Sequence, residues 1–333
     1  MAECTYFGTC GGCSYQDLAY EAQLELKRNF VIEALSEFQA HNPFEVYPTV
    51  GSPKPYGYRH MIALSVKRRR GQLAMGFIGQ DRRTFLPIES CPISDSRINR
   101  FLPGALQKLE ALPPERKFNT SQVVLRVGTD GDVVTSIRTD RGKLLSCTVL
   151  EKTFSFSMAS FFQNNFSILE PFICTIRKFL TPTGQGTLFD LYSGVGLIGI
   201  LLADHYQSVI GIEEGYESVK QAKENAAFNK IENVSFLEGK VENLLIELTQ
   251  ESPSPMHVVV DPPRIGLKPE VIETLTRMDL PIQKLVYVSC HLESLKRDLG
   301  LLTKRFKITE IQPLDFFPQT KHIETLALLE PLE

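Results

Sequence analysis

A cysteine and two carboxylates directly follow apolar runs in the C-terminal half of the chain. Glu213 ends one run, Asp261 opens the segment Asp-Pro-Pro-Arg after another, and Cys290 follows a third at 285–289. In a doubly wound sheet, ligands bind at the carboxyl ends of the strands, so we expect these side chains at one edge. A thiolate in that position is a nucleophile once its proton has been removed. The pattern therefore predicts a ligand site with covalent chemistry at Cys290.

A glycine turn precedes all three residues. The stretch TLFDLYSGVGLIGILLA at 187–203 predicts a strand, a tight turn and a helix, and Gly194, Gly196 and Gly199 spell G-x-G-x-x-G. Glycine is needed where a Cβ would hold a bound cofactor away from the backbone. A carboxylate at Glu213 can accept hydrogen bonds from both ribose hydroxyls of an adenosine, in NAD or in S-adenosylmethionine. The turn by itself leaves both cofactors open.

The elements around this turn predict an α/β fold. Strands are expected near 187–192, 208–213, 234–238, 257–261, 285–289, 307–314 and 324–330, with helices between most of them. The last two have no helix between them, which predicts the antiparallel hairpin that closes a methyltransferase sheet and that NAD folds lack. We therefore predict a seven-stranded, doubly wound (Rossmann-like) domain. The expected domains are a cysteine-rich loop and helix at 1–42, a small α/β RNA-binding domain at 43–155 and the methyltransferase domain at 156–333.

Four of the seven cysteines form a possible metal site. Cys4, Cys10 and Cys13 have the spacing C-x5-C-x2-C, and Cys91, directly before a proline, is the best-placed fourth thiol. The chain shows no signal-peptide layout, so an odd number of cysteines favours metal binding or catalysis over a disulfide framework. Four thiolates suit either a [4Fe–4S] cluster or zinc.

Charge is distributed unevenly along the chain. The formal net charge is −3, but residues 52–100 contain ten Lys and Arg against three Asp and Glu, including Lys67 to Arg70, Arg82 and Arg83. This window predicts a surface for RNA phosphates, with a solvated basic hairpin as the alternative. No apolar run approaches the roughly 20 residues that span a bilayer, so we expect a cytoplasmic protein without membrane contact.

Motifs along the whole chain resemble those of a known family. CTYFGTCGGC with Cys91, GYRHMIALSV, SFFQNN, DLYSGVG, DPPRIGL, YVSC and FPQTKHIE together resemble the bacterial RNA uracil-C5 methyltransferases, which use S-adenosylmethionine to make 5-methyluridine. The likeness is greatest to the 23S ribosomal RNA members that carry an iron–sulfur cluster and have no N-terminal β-barrel domain. The resemblance implies a monomer that acts on ribosomal RNA, with transfer RNA as the alternative.

The resemblance also implies a role for particular residues. Cys290 is the implied nucleophile and Glu324 the implied base. The implied cofactor residues are Gln163, Tyr192, Glu213 and Asp261, and the implied ligands of a [4Fe–4S] cluster are Cys4, Cys10, Cys13 and Cys91. Arg264, beside Asp261, is a further candidate for contact with substrate or phosphate.

The implied reaction needs a nucleophile and a base because uracil C5 is itself a poor nucleophile. A thiolate that adds to the electrophilic C6 shifts charge onto C5, which can then attack a sulfonium methyl. A base must afterwards remove the C5 proton so that the cysteine can leave. Cys290 and Glu324 match these two tasks.

Two alternatives from other classes stay open on the sequence. A nicotinamide-dependent oxidoreductase would use the glycine turn and Glu213, but it leaves Cys290 and Glu324 unexplained. A non-catalytic RNA-binding relative is suggested by His291-Leu292, because the family commonly has Asn-Pro after the nucleophile.

Overall fold

The computed structural model describes residues 2–40, 42–69, 72–111, 122–137, 140, 142–251 and 255–332. The first half of the chain contains α1 (Tyr20–Gln39), β1 (Glu45–Val46), β2 (Met61–Arg69), β3 (Gln72–Ile78), β4 (Phe85–Pro87), α2 (Ser96–Glu110), β5 (Gln122–Arg126), β6 (Val134–Thr135), β7 (Leu144–Val149) and β8 (Lys152–Ser157). The second half contains α3 (Leu169–Leu180), β9 (Thr187–Leu191), α4 (Leu197–Leu202), β10 (Ser208–Glu213), α5 (Tyr216–Phe228), β11 (Val234–Glu238), α6 (Val241–Glu251), β12 (Met256–Val260), α7 (Pro269–Leu275), β13 (Ile282–Ser289), α8 (Leu292–Leu302), β14 (Phe306–Leu314) and β15 (Glu324–Pro331).

An eight-stranded sheet dominates the second half, in the order β1-β14-β15-β13-β12-β9-β10-β11. Only β15 among these strands is antiparallel to its neighbours, pairing with β13 and β14. The seven predicted strands and the closing hairpin are thereby confirmed. The eighth strand, β1, is absent from the sequence prediction, because a two-residue strand has no periodicity to detect.

Helices cover both faces of this sheet, as its doubly wound topology requires. One apolar core joins α3, α4 and α5 to the sheet. The other core joins it to α1, α6, α7 and α8. Strands such as β9 and β12 are buried along their full length, so their apolar runs are continuous rather than alternating.

A second, five-stranded antiparallel sheet has the order β4-β3-β2-β5-β6. It packs with α2 around a separate core. Asp95 caps α2, because its side chain accepts a hydrogen bond from Arg97 N at 2.8 Å. The strand β4 has only three residues, which is too short to show a periodic pattern in the sequence. The basic run from Lys67 to Arg70 ends outside the described residues, since 70 and 71 are not among them.

Packing in the structure crosses the predicted domain boundaries at 42 and 155. The strand β1 pairs with β14 of the large sheet, and α1 packs on α8. The β7–β8 hairpin packs on α5, and its buried Phe154 and Phe156 belong to the same core as α3 and α4. The segments before and after the small sheet therefore belong physically to the large one. No helix in the described part of the chain is long and apolar enough to cross a membrane.

Candidate active site and cysteine cavity

A cavity of about 600 Å³ opens at the carboxyl edge of the large sheet. We call it the large cavity. Its walls contain all six residues that the sequence predicts to bind the cofactor or act in catalysis, namely Gln163, Tyr192, Glu213, Asp261, Cys290 and Glu324. These residues come from separate segments of the chain, and the parallel strands bring them to one place. The structure thus gives their location, while their individual roles stay predictions.

The turn after β9 has an unusual backbone. Tyr192 has a positive φ of 66°, and Gly196 has a φ of 86°. A Cβ on Gly196 would lie 2.6 Å from Phe236 Cζ, so only glycine fits there. Glu213 fixes the turn from β10, because its carboxylate accepts hydrogen bonds from Gly194 N at 3.1 Å and Gly215 N at 2.8 Å. The turn and the carboxylate therefore form one unit.

Three neighbouring buried polar groups beside this turn have unused hydrogen-bonding atoms. Asp190 Oδ1, Tyr192 OH and Ser193 Oγ find no partner in the described part of the chain. Buried polar atoms are normally satisfied, so an unsatisfied group suggests a ligand or water that completes it. Polar groups of this kind suit the amino-acid and ribose portions of S-adenosylmethionine. The residues present therefore fit that cofactor.

Asp190 lines a small neighbouring pocket together with Gln163, Tyr192 and Asp261, and the sequence analysis does not identify it. Its other oxygen accepts a hydrogen bond from Gly199 N at 2.9 Å, and the residue is only 1% exposed. Burial raises the pKa of Asp190 to about 7. The sequence pattern that could have identified Asp190 is a single carboxylate inside the apolar run TLFDL at 187–191. Phe161 lines the large cavity with 68% of its surface exposed, and the sequence analysis does not assign it a role either.

Cys290 and Glu324 share a crowded electrostatic environment. Burial raises the pKa of Cys290 to about 11, and the carboxylates of Glu324 and Asp261 contribute to the rise while Arg264 opposes it. Burial and Asp261 hold the pKa of Glu324 well above its usual range. The pKa of Asp261 is itself raised to about 7, by burial and by Asp190. Cys290 is therefore a thiol at neutral pH.

His291 and Leu292 follow Cys290, where the family that the chain resembles commonly has Asn-Pro. The structure shows how these two residues begin α8. His291 has an extended backbone and caps α8, with its Nδ1 accepting from Ser294 N at 3.4 Å. Ser289 Oγ donates to His291 O at 3.0 Å and closes the turn. Cys290 still lines the large cavity. The substitution thus leaves the thiol facing the site.

The loop between β14 and β15 completes the wall with Phe317 and His322. Buried contacts from α1 hold it. Lys27 Nζ lies 2.6 Å from Asp315 Oδ1, and both side chains are fully buried. The amide of Gln23 pairs with Gln319, receiving a hydrogen bond from Gln319 N at 3.0 Å and donating one to its Oε1 at 2.9 Å. No local pattern in the sequence indicates this connection.

A second cavity, of about 420 Å³, contains the four predicted cluster cysteines in its walls, and we call it the cysteine cavity. Cys4, Cys10, Cys13 and Cys91 are all half-buried free thiols. Among the residues that the structure describes, however, no group of three or more His, Cys, Asp or Glu side chains is arranged to hold a metal ion. The predicted iron–sulfur cluster is therefore not confirmed, although its four thiols do share one cavity.

Comparison with known proteins gives the family. Residues 143–331, more than half of the chain, match the family described as tRNA (Uracil-5-)-methyltransferase. The chain belongs to this family. An uncharacterized RNA methyltransferase of Listeria monocytogenes is 32% identical over 99% of this chain and 83% of its own length. A tRNA (uracil(54)-C(5))-methyltransferase of Schizosaccharomyces pombe is also 32% identical, over 99% of this chain and 65% of its own.

A solved structure shows the same fold. The tRNA (uracil-54, C5)-methyltransferase of Pyrococcus abyssi, in complex with S-adenosyl-L-homocysteine, superposes with a TM-score of 0.73 at 24% identity, covering 96% of this chain and 86% of its own. The predicted α/β methyltransferase fold is confirmed. So is the enzyme class, an S-adenosylmethionine-dependent RNA uracil-5-methyltransferase. The family membership rules out the nicotinamide-dependent oxidoreductase.

Proposed function

We propose that this enzyme methylates C5 of a uridine through a covalent adduct between Cys290 Sγ and C6 of the base. One arrangement carries the proposal: Cys290 and Glu324 line the same cavity as Asp261 and the glycine turn. A nucleophile and a base must reach the two adjacent carbons C6 and C5 of one uracil. Side chains on a common wall meet that requirement.

The reaction begins and ends at the Cys290 thiolate. Cys290 first releases its proton to solvent in the open cavity, and its thiolate then forms the Sγ–C6 bond while the C5=C6 π electrons move onto C5 and O4. When bound, S-adenosylmethionine would supply the methyl group that C5 takes up, and S-adenosylhomocysteine would be left. Glu324 then accepts the C5 proton, the C5=C6 bond forms again, and the Sγ–C6 bond breaks to return the thiolate. A carboxylate with a raised pKa holds a transferred proton more strongly than an ordinary glutamate, which favours the last step.

Arg264 has an electrostatic role in this proposal. It lowers the pKa of both Cys290 and Glu324, in opposition to burial and the neighbouring carboxylates. A fixed positive charge favours the thiolate over the thiol and the carboxylate over the acid. Arg264 thus assists both ionisations that the reaction needs.

The methyl donor is proposed to occupy the part of the large cavity beside the glycine turn. Gln163 and Tyr192 are assigned to the methionine portion, Glu213 to the ribose, and Asp261 to the region between cofactor and base. The unsatisfied OH of Tyr192 and the half-buried carboxylate of Glu213 support these assignments. Gly194 leaves open space where a side chain would project.

The four thiols of the cysteine cavity are proposed to hold a [4Fe–4S] cluster. A single tetrahedral zinc ion, with Zn–S bonds of about 2.3 Å, would hold its four sulfurs close together, and no group of three or more His, Cys, Asp or Glu side chains among the described residues is arranged to hold one metal ion. A cluster of several atoms holds its ligand sulfurs further apart, which suits four half-buried thiols around a cavity of about 420 Å³. Anaerobically prepared protein should then be brown, with absorbance near roughly 400 nm. Colourless protein after anaerobic reconstitution with iron and sulfide would remove this assignment.

The RNA target is proposed to be ribosomal, because the cysteine motif resembles the ribosomal members of the family. Transfer RNA is the second candidate, favoured by the named activities of the fission-yeast and archaeal proteins. Mapping 5-methyluridine in ribosomal and transfer RNA decides between the two targets, when a deletion strain is compared with the same strain after the gene has been restored. We expect one uridine of the large ribosomal RNA to lose its methyl group. Loss confined to transfer RNA would reverse the choice, and no loss in either would contradict uracil-C5 methylation.

A further inference from the structure

Two buried N–H groups on the wall of the cysteine cavity have no acceptor. Gln16 Nε2 and Arg59 Nε are inaccessible to solvent and have no oxygen or nitrogen acceptor in the described part of the chain, although the Gln16 side chain lies near enough to the Cys13 thiol to oppose the rise that burial causes in the pKa of Cys13. Gln16 as a whole is only 5% exposed. Buried donors without acceptors are rare because each loses its hydrogen bonds to water without replacement. Two such donors on one cavity indicate that an acceptor belongs inside it.

The orientation of the Gln16 amide follows from its other contact. Its Oε1 accepts a hydrogen bond from the backbone N of Cys4 at 3.0 Å. Turning the amide over would place its NH₂ against that N–H, so the observed orientation is the only one that satisfies Cys4. The NH₂ group is consequently left for another partner, and Gln16 shares the cavity wall with Cys4 and Cys13.

Arg59 is fixed beside the fourth cysteine. Its backbone N donates to Ile93 O at 2.8 Å, and its O accepts from Asp95 N at 3.0 Å, which places it next to the segment that follows Cys91. A guanidinium keeps its charge at any physiological pH and is weakly hydrated, so it is well suited to a buried anion. Four thiolates with a bound cluster make such an anion.

We propose that Gln16 and Arg59 donate N–H hydrogen bonds to sulfur atoms of the group held by Cys4, Cys10, Cys13 and Cys91, raising its reduction potential and slowing the loss of iron. The inference rests on the proposed cluster. Hydrogen bonds and positive charge near the sulfurs stabilise the reduced, more negative state more than the oxidised one. Partners of this kind also hold the ligands in place.

The test uses full-length protein reconstituted anaerobically with iron and sulfide. Gln16→Met removes the donor at similar volume, and Arg59→Lys keeps the positive charge but removes Nε. Gln107→Met is the matched control, because Gln107 is exposed on α2 and lies outside the walls of the cysteine cavity. The measurements are the midpoint potential, by titration monitored with electron paramagnetic resonance, and the rate of iron transfer to a chelator.

We expect Gln16→Met and Arg59→Lys to lower the midpoint potential and to release iron about 10-fold faster or more. The control should match the parent protein in both measurements. Brown variants with the parent potential and the parent release rate would overturn the role of the two donors and leave the cluster in place. A parent protein that takes up no iron would overturn the cluster and this inference together. If Gln16→Met does not fold, Arg59→Lys alone decides the question.

Discussion

At the scale of single residues, Cys290 and Glu324 act on opposite sides of methyl transfer in the proposed mechanism. Cys290→Ser should bind RNA but form neither product nor covalent complex, because no adduct can begin. Glu324→Gln should add and methylate the base but fail to remove the C5 proton, so it should stall as a methylated adduct. Loss of a general base typically slows a reaction by about 10²–10⁴-fold, so the methylated adduct should persist long enough to be isolated.

Labelled S-adenosylmethionine and substrate RNA provide the measurement for these two variants. Glu324→Gln should give a denaturant-resistant protein–RNA band that carries the label. Glu330→Gln is the control, because it makes the same change on the same strand, β15, but outside the large cavity. Like Glu324, the Glu330 carboxylate has a cationic side chain nearby, with its Oε1 3.7 Å from Lys284 Nζ. Free methylated RNA at the parent rate from Glu324→Gln would show that another group is the base.

Asp190 offers a second prediction at this scale, on the pH dependence of stability. Its pKa is about 7 in the fold against an ordinary value of 3.8, so the carboxyl group ionises first in the unfolded chain as the pH rises. Its contribution to stability is present below about pH 4 and is lost between pH 4 and 7. Asp190→Asn removes this titration while an amide oxygen can still accept from Gly199 N.

The free energy of unfolding of Asp190→Asn, relative to that of the parent protein, should therefore increase from pH 4 to 7 by up to about 4 kcal/mol. Above pH 7 this difference should stay constant. Urea unfolding of cofactor-free protein at a series of pH values measures it. Asp204→Asn, on an exposed residue, should show no comparable growth. A constant difference between Asp190→Asn and parent at all pH values would mean that Asp190 ionises normally in the fold.

At the scale of elements, α1 holds the loop that leads to Glu324. The Lys27–Asp315 pair has no solvent exposure, and Lys27 also donates to Phe317 O at 3.1 Å. Lys27→Met should lower the free energy of unfolding by about 3–5 kcal/mol, because it leaves Asp315 buried without its partner. It should also lower methyl transfer, since Phe317 lines the large cavity.

An exposed ion pair between the same helix and α8 gives the control. Lys296 Nζ lies 3.0 Å from Glu37 Oε2, with side chains 39% and 57% exposed. Lys296→Met should change stability by no more than about 1 kcal/mol in the same urea titration. Adding Asp315→Asn to Lys27→Met should restore part of the loss. Equal small effects from both lysines would contradict the proposed role of the buried pair.

At the scale of the whole molecule, we propose that RNA contacts the domain built on the five-stranded sheet while its target base enters the large cavity. Arg82 and Arg83 are exposed in the turn between β3 and β4, and this turn pairs with the cysteine segment through Gln80 N and Thr9 O at 3.0 Å. We infer that this turn contributes phosphate contacts. Released counterions make such contacts visible in the salt dependence of binding.

Arg82→Gln with Arg83→Gln should flatten the log–log slope of RNA affinity against salt by about one for each phosphate that is no longer neutralised. Lys220→Gln with Lys223→Gln removes the same charge from exposed positions of α5 and should leave the slope unchanged. Filter binding or fluorescence anisotropy at several salt concentrations measures both. Equal slopes for the parent and the Arg82, Arg83 variant would place the RNA surface elsewhere.

The large sheet and the residues at its edge could be predicted from the amino-acid sequence alone. Apolar runs of strand length, the glycine turn at 193–196 and the helix-free connection before β15 are local patterns, so they are legible without coordinates. Because parallel strands end at a common edge, Glu213, Asp261 and Cys290 could be placed together before the fold was known.

The attachment of the N-terminal segments and the groups that lack partners became visible only in three dimensions. Gln23 meets Gln319 across 296 residues, and β1 joins the sheet with two residues, so neither leaves a periodic signal. The raised pKa of Asp190 and the unsatisfied donors of Gln16 and Arg59 depend on which atoms surround them. Burial and hydrogen bonding are set by contacts between distant parts of the chain, which local patterns do not contain.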